Sequence, residues 1–336
     1  MKAVLLREFG PPEVMRLEEV PTPVPAPGEV LVRVQAVSVN RTLDLVVRAG
    51  KYVVPPALPH VLGVDPSGVI AALGAGVTER KLGERVVTMQ FLRAPTAAAP
   101  PAILGVHGWG GYAEYVKVPA QLTTLIPDNV DFPTATVVAR HAPTAFSLLR
   151  DTAQLQAGET ILVMGAAGGL GSAGIQVARY LGAKTVIAAA GADERVRAAI
   201  QLGADHGVNY RSQDLTAEVM RITADQGVNV VFENIGDPEL FEKAFAAIGR
   251  GGRLVTAGAH AGGRVPLDVR RLYLNQISLY GSFGKVLPSD VRLGLQAAAE
   301  GRYRVLIDRV LPLADAPLAH RIVESRSGTG KVILQP

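Results

Sequence analysis

The sequence predicts an α/β protein in two parts: a β-rich N-terminal region and a doubly wound parallel sheet. Three observations predict it. From about residue 126, apolar β-branched runs alternate with helical stretches of the length a parallel crossover needs. One of those runs, ILVMGAAGGLGSAGIQVARYLGA, passes directly from strand into glycines that open a helix. Before residue 126, short apolar runs are broken by Pro and Gly, as in an antiparallel sheet with tight turns.

Within the first region, VLLREFG is followed by a Pro-rich turn from Pro21 to Pro27 and then by a strand. Val30, Val32 and Val34 alternate there with Leu31, Arg33 and Gln35, a period of two. GVIAALG and ERVVTMQ read as later strands. The Ala-, Pro- and Gly-rich stretch from Arg93 to Gly111 has no periodicity and is expected to be a long loop. In the second region ETILVMG, KTVIAAA, GVNVVFENIG and GRLVTAGA read as strands. The helix SAGIQVARYLGA should stop at Gly182, and DERVRAAIQLGA should be capped by Asp193 and stop at Gly203. FEKAFAAIGRGG and PSDVRLGLQAAAEGRY read as helices, with short strands after the latter.

Length and composition narrow the function. The 336 residues, 48% hydrophobic and 19% charged, suit two domains of a soluble α/β enzyme. The N-terminus MKAVLLREFG has no apolar signal core, and no stretch offers eighteen uninterrupted apolar residues, so a cytoplasmic protein without membrane partners is expected. The net charge of +4 is scattered, with no basic stripe or aromatic-interleaved motif, which argues against nucleic acid and suits an anionic cofactor. There is no cysteine, which removes disulfides, thiolate catalysis and thiolate zinc ligands. The six histidines (His60, His107, His141, His206, His260, His320) form no HxxxH or comparable ligand pair, so no metal site is expected.

The glycine turn is the strongest local signal. Gly168, Gly169, Leu170 and Gly171 lie between strand and helix, where backbone N–H groups and the helix dipole favour a diphosphate. Gly168 would admit the diphosphate to the backbone, and Gly171 would let the helix pack close to the strand. Ala166 stands where the first fingerprint glycine is expected. An NAD site carries an acid at the end of the next strand, about 20 residues on. Here that place is Ala190, and Arg195 and Arg197 follow, which favours the 2′-phosphate of NADP. Each arginine has the alternative reading of a solvated helix face.

These segments carry a family resemblance. GAAGGLGSAGIQVARYLGA, LGADHGVNYR and GRLVTAG, with VLVRVQAVSVNRTLDLVVRAGKY, LPHVLGVDPSGVI and GGYAEYVKVP before them and GKVILQP at the end, resemble the medium-chain dehydrogenase/reductase superfamily over nearly the whole chain. Within it the sequence is similar to the zinc-free quinone oxidoreductase, zeta-crystallin-like branch. The resemblance implies a GroES-like catalytic domain over 1–125, completed by 287–336, and a Rossmann cofactor domain over 126–286. It also implies a ligand cleft between the domains and a homodimer or homotetramer, often paired through a late strand, here QISLYGSF. Zinc enzymes of the superfamily hold catalytic zinc with a Cys and a Gly-His-Glu motif; this sequence has Asn40 and Gly63-Val64-Asp65 at those positions.

Without zinc, preorganised donors must polarise the substrate oxygen. Asn40 sits at the matched position and offers an amide donor, with a strand-end Asn as the alternative. Tyr52 matches a cleft tyrosine and could donate a proton; the alternative is a half-buried aromatic. Asp44 matches an acidic position read as ordering the loop. NRTLD is one residue longer than in many quinone reductases, which resembles the alcohol-dehydrogenase-like members. Thr144 matches a threonine near the nicotinamide. His141, one helical turn earlier, is a candidate proton donor or else a satisfied helix-terminal histidine. His107 and Trp109 either line the pocket or face solvent. Tyr210 and Arg195 match positions near the adenosine 2′-phosphate. Asn234, Gly236 and Gly258 end strands at the carboxyl edge of the sheet. Ser282 and Phe283 match positions that hold the carboxamide, with core packing the alternative for Phe283.

Three functions compete. The first is an NADPH-dependent reductase of quinones or α,β-unsaturated carbonyls. The second is a zinc-free ketone reductase or alcohol dehydrogenase, suggested by NRTLD and His141. The third is a non-catalytic, crystallin-like NADPH-binding protein, against which the intact glycine turn argues.

Overall fold

The computed structural model describes residues 1–93, 101–326 and 328–336. The chain forms two compact units, Met1–Arg140 with Val286–Pro336, and His141–Lys285.

The first unit is built on a seven-stranded sheet. Its order is Thr123–Leu125, Arg85–Thr88, Ser67–Leu73, Glu29–Ser38, Lys331–Gln335 and Ile307–Pro312, and Tyr115–Pro119 also pairs with Glu29–Ser38. The period-two reading of the long strand holds: Val30, Val32 and Val34 are buried with Ile70, Val86 and Val116 in one apolar cluster, while Arg33 faces solvent. A smaller sheet joins Met15–Glu19, Lys2–Leu6 and His60–Val61. The C-terminal strand lies antiparallel to Glu29–Ser38, with Ile333 opposite Ser38 and Leu334 opposite Val37. Val39 N–H then donates to Val332 O at 2.9 Å. This pairing brings Lys331 beside Asn40.

The expected loop after Arg93 is partly regular. Phe91–Arg93 pairs with Ala102–Ile103. Phe91, Ile103, Leu104 and Val106 are buried, which anchors the excursion at its base. Residues 94–100 of that stretch lie outside the described residues.

The second unit carries six parallel strands in the order His206–Asn209, Thr185–Ala190, Thr160–Met164, Val228–Glu233, Ile248–Thr256, Ser278–Gly281. Helices Gly169–Tyr180, Asp193–Gln201, Leu215–Ile222 and Pro238–Ala246 fall between successive strands. Ile161, Leu162, Val163 and Met164 are all fully buried, as a strand covered on both faces must be. This is the Rossmann topology, with order reversal at Thr160–Met164.

Two local expectations change. The helix Phe132–Phe146 belongs to the first unit as far as Arg140, because Val137 and Phe132 pack with Ala36 and Ile333, and Thr136 Oγ1 donates to Ser67 Oγ at 2.7 Å. Asp193 is not the cap of its helix. Ala192 is, in extended backbone, while the Asp193 carboxylate accepts from Asn209 Nδ2 at 2.7 Å. A partner from the neighbouring strand wins over the local cap.

Candidate active site

In the second unit the glycine turn is assembled as the sequence suggests, with one shift. The tight turn is made by Gly165, at φ +62°, one position before Ala166. Ala166 is therefore no defect. A Cβ on Gly171 would lie 2.2 Å from Gly165 O, so only glycine lets the helix start this close to the strand end. Gly168 caps that helix without any side-chain hydrogen bond. The first helical amides have no partner within the helix, and no side chain caps them. This open, amide-lined cradle fits a diphosphate.

Other predicted residues gather on the same carboxyl edge. Asn234 Nδ2 donates to Met164 O at 2.8 Å, tying the fourth strand's end to the glycine turn. A Cβ on Gly258 would meet Asn234 O at 2.4 Å. Ser282 N–H donates to Thr256 O at 3.0 Å. Thr144 packs on Gly284: a Cβ there would lie 3.1 Å from its methyl carbon. Phe283 is 65% exposed, so core packing does not explain it. Leu170 is half-buried on the turn. The sequence reading passed over Glu233, which is buried and accepts from Ile235 N–H (2.6 Å), Gly236 N–H (2.9 Å) and Thr256 Oγ1 (3.0 Å), fixing the loop that holds Asn234.

At the end of the second strand Ala190 is 2% exposed and Tyr210 N–H donates to its carbonyl. The Tyr210 ring lies over Gly191, where a Cβ would be 3.0 Å from the hydroxyl. Arg195 follows in the first turn of the helix that Ala192 caps. Ala190 and Tyr210 are thus neighbours, Arg195 lies five residues on from Ala190, and the carboxylate of Asp193 is engaged by Asn209.

His141 is placed differently from its expected role. Its imidazole is buried against the glycine turn: a Cβ on Gly169 would come within 2.3 Å of His141 Nε2. The ring belongs to the diphosphate cradle by position.

In the first unit Asn40 is buried at the centre of a polar network. Its Nδ2 donates to Asp65 Oδ2 (3.0 Å), Ser38 O (3.1 Å) and Ser38 Oγ (3.2 Å), and its Oδ1 accepts from Lys331 Nζ at 2.8 Å. Both amide hydrogens expected for the substrate oxygen are committed inside the protein. Two buried carboxylates, Asp44 and Asp65, explain this, because each needs donors wherever they are available. Asp65 also takes Ser38 N–H (2.9 Å) and Ser38 Oγ (2.5 Å). Asp44 takes Asn40 N–H (2.7 Å) and Gly63 N–H (3.1 Å). The extra residue of NRTLD is absorbed as a π-turn over Arg41–Leu45, in which Leu45 N–H reaches back to Asn40 O.

Burial shapes the protonation of this network. Asp44 is pushed up to about 7 by burial and by the charge of Asp65, against the pull of the two backbone amides and Lys331. Lys331 is lowered to about 8, chiefly by burial. His320, fully buried, falls to about 3 through burial and the charge of Arg48. Arg48 Nη1 lies 3.1 Å from His320 Nδ1, and His320 Nε2 lies 3.1 Å from Tyr112 Oη. Arginine only donates, so Nδ1 accepts and Nε2 carries the proton towards the tyrosine. Burial, with the nearby charges of Asp44 and Asp65, raises the Tyr112 hydroxyl well above the usual range.

Tyr52 is half-buried, its ring meeting His107 edge-on at 6.1 Å, and burial raises its hydroxyl pKa. His107 and Trp109 are exposed and hold their loop: His107 Nδ1 accepts from Ile103 N–H (3.0 Å) and Trp109 Nε1 donates to Pro59 O (3.2 Å). The sequence reading missed Lys331, Arg140, Tyr112, Arg48 and the role of His320. Lys331 was quoted only as part of a terminal motif. Arg140, a lone charge among the apolar residues Val137, Val138, Ala139 and Ala142, was the signal available.

Residues 26–128 match the family described as alcohol dehydrogenase GroES-like domain, and residues 169–300 the family described as zinc-binding dehydrogenase. The chain is 31% identical to the quinone oxidoreductase of Sus scrofa over 99% of this chain and 97% of that one. It superposes on an NAD-dependent alcohol dehydrogenase with a TM-score of 0.91 at 35% identity, covering 100% of both chains. A mycobacterial quinone oxidoreductase gives a TM-score of 0.83 at 29% identity, again over 100% of both.

The second family description names zinc, and the residues around Asn40 do not fit it. The chain has no cysteine. The Asn40 amide oxygen already accepts from an ammonium group, and Asp65 is occupied by three donors. The glycine cradle, in contrast, fits the dinucleotide the family uses. The chain therefore belongs to the medium-chain dehydrogenase/reductase superfamily, in its quinone oxidoreductase branch, and is an oxidoreductase that takes a nicotinamide cofactor.

Proposed function

We propose that the protein is a zinc-independent, NADPH-dependent reductase of quinones or α,β-unsaturated carbonyls. The observation that carries this reading is the polar network around Asn40, where Lys331 supplies a positive charge 2.8 Å from the amide oxygen and the donor set is wrong for zinc. The nicotinamide, when bound, supplies the hydride. The amides after Gly168 bind the diphosphate. Arg195 and Tyr210 hold the 2′-phosphate, and the lack of a carboxylate at Ala190 leaves that phosphate unrepelled. Tyr52 stands as the hydroxyl proton donor, with water as its substitute.

A ketone reductase or alcohol dehydrogenase is the second reading. It is favoured by the π-turn that accommodates the longer NRTLD segment and by the similarity to alcohol dehydrogenases. We also propose a homodimer through the edge strand Ser278–Gly281, which ends its sheet beside the exposed Tyr273 and Tyr280.

One experiment tests these readings together. Purified protein is assayed for oxidation of NADPH and NADH with benzoquinone, cyclohexenone and cyclohexanone, and the same sample is weighed by sedimentation and analysed for zinc. Quinone or enone reduction, about tenfold preference for NADPH, a dimer and trace zinc are expected. Turnover of cyclohexanone alone selects the second reading. Stoichiometric zinc, or no acceptor reduced, overturns both.

A further inference from the structure

We propose that the unit His141–Lys285 holds a second ligand site, at the amino edge of its parallel sheet, where Arg250 and Arg271 take the phosphate of a small, hydroxylated phosphate monoester. The site is separate from the reductase chemistry and does not depend on which acceptor is reduced. A cavity of about 640 Å³ lies there, a size that suits a small molecule. Its lining includes the first residues of four adjacent strands, Thr185, Thr160, Val228 and Ile248. The glycine turn that fits the coenzyme diphosphate follows Met164, at the other end of the strand Thr160–Met164. At roughly 3.3 Å per residue that strand keeps the two ends about 13 Å apart. One diphosphate cannot serve both.

The cavity is lined by two cations, Arg250 and Arg271, against one carboxylate, Asp225. Arg271 is fixed in place. Its Nη2 donates to Ala246 O at 2.6 Å and Ile248 O at 2.8 Å, which sets the guanidinium plane against the start of the strand. Its Nε is shielded and touches no ligand. Its Nη1 is neither shielded nor hydrogen-bonded among the described residues, so those hydrogens are open to an acceptor. Arg250 follows two positions after Ile248 and is exposed. A purely structural account makes both arginines braces. Arg271 is one through Nη2 alone. Arg250 braces nothing: among the described residues its guanidinium has no hydrogen bond or ion pair, and Asp225 does not pair with it. One anchored guanidinium and one free to close on it give an oxyanion two charge-assisted contacts. Neutral groups complete the site. Asn229 Oδ1 accepts from Thr160 N–H at 2.9 Å, which leaves its Nδ2 available. Asn275 Nδ2 donates to Arg271 O at 3.2 Å, which leaves its Oδ1 available. With Asp225 and Gln226 on the turn after the helix Leu215–Ile222, these groups offer donors and acceptors to hydroxyls.

Calorimetry on protein saturated with NADPH tests this, because the coenzyme then fills the phosphate positions of the opposite edge. Glucose 6-phosphate, glucose and inorganic phosphate are titrated into the wild type, Arg250→Gln and Arg271→Lys. Glucose 6-phosphate should bind the wild type at least ~fivefold more tightly than inorganic phosphate, and glucose should give no heat. Arg250→Gln changes an exposed side chain and should weaken glucose 6-phosphate about tenfold while leaving the NADPH Kd within about twofold. Arg271→Lys should weaken it by a similar factor, since an ammonium lacks the fork that holds two carbonyls and an anion together. The rise in Tm produced by glucose 6-phosphate should shrink in both variants. No binding of glucose 6-phosphate to the wild type below ~10 mM overturns the proposal. So does unchanged affinity in Arg250→Gln, or binding of glucose or inorganic phosphate as tight as that of glucose 6-phosphate. If Arg271→Lys fails to fold, the Arg250→Gln comparison decides alone. None of these readouts requires turnover, so they stand apart from the fate of the reductase reading.

Discussion

Around the glycine turn of the unit His141–Lys285, the work is done by backbone and by small residues a few positions apart. Gly165 makes the turn, Gly168 caps the helix and Gly171 lets it close on the strand. Around Asn40 in the other unit, side chains from distant segments converge: Asp44, Asp65, Arg140 and Lys331. The first arrangement is local, steric and nearly neutral. The second is non-local and electrostatic. The difference predicts how each fails: the turn by clash, the network by titration and loss of charge.

The largest expected effect comes from the turn. Gly171→Ala places a Cβ 2.2 Å from Gly165 O, and backbone cannot move aside cheaply. NADPH affinity should fall at least ~100-fold, or the thermal shift produced by NADPH should vanish. Calorimetry giving an unchanged Kd would break the contrast, since steric exactness would then be unnecessary. A smaller effect is expected at the adenosine end. Arg195→Ala should weaken NADPH about tenfold, as the loss of one charge-assisted contact, and leave NADH as it was. Equal weakening of both coenzymes would mean that Arg195 does not read the 2′-phosphate.

A third effect concerns the network and pH. Burial raises Asp44 from 3.8 to about 7 in the folded protein. Between those values the folded chain holds a proton that the unfolded chain has released, so the Asp44 contribution is present below about pH 4 and lost as pH rises through 7. Asp44→Asn cannot ionise, and its urea midpoint should lose that slope. Parallel profiles for variant and wild type would mean that Asp44 does not titrate as its surroundings dictate.

The same contrast explains what was legible in the sequence. Alternating strands and helices and the glycine turn are patterns within short windows, and the fold and the nicotinamide-binding half followed from them. Asn40 and Lys331 are 291 residues apart, and nothing in either neighbourhood announces the other. The committed amide of Asn40 was invisible for the same reason, because its partners come from strand pairing rather than spacing. Asp193 shows the effect in miniature: local chemistry made it a cap, and Asn209 from another strand took its carboxylate. His141 was singled out from its local sequence, yet its surroundings depend on where the following strand and turn return to the helix.

The contact between His141 and Gly169 carries an evolutionary constraint. With the imidazole Nε2 2.3 Å from where a methyl group would sit, a residue larger than glycine at 169 forces the histidine ring to move. Enlarging position 169 is least costly after trimming 141, so the two positions are coupled. A smaller side chain at 141 would open room at 169 that this protein lacks.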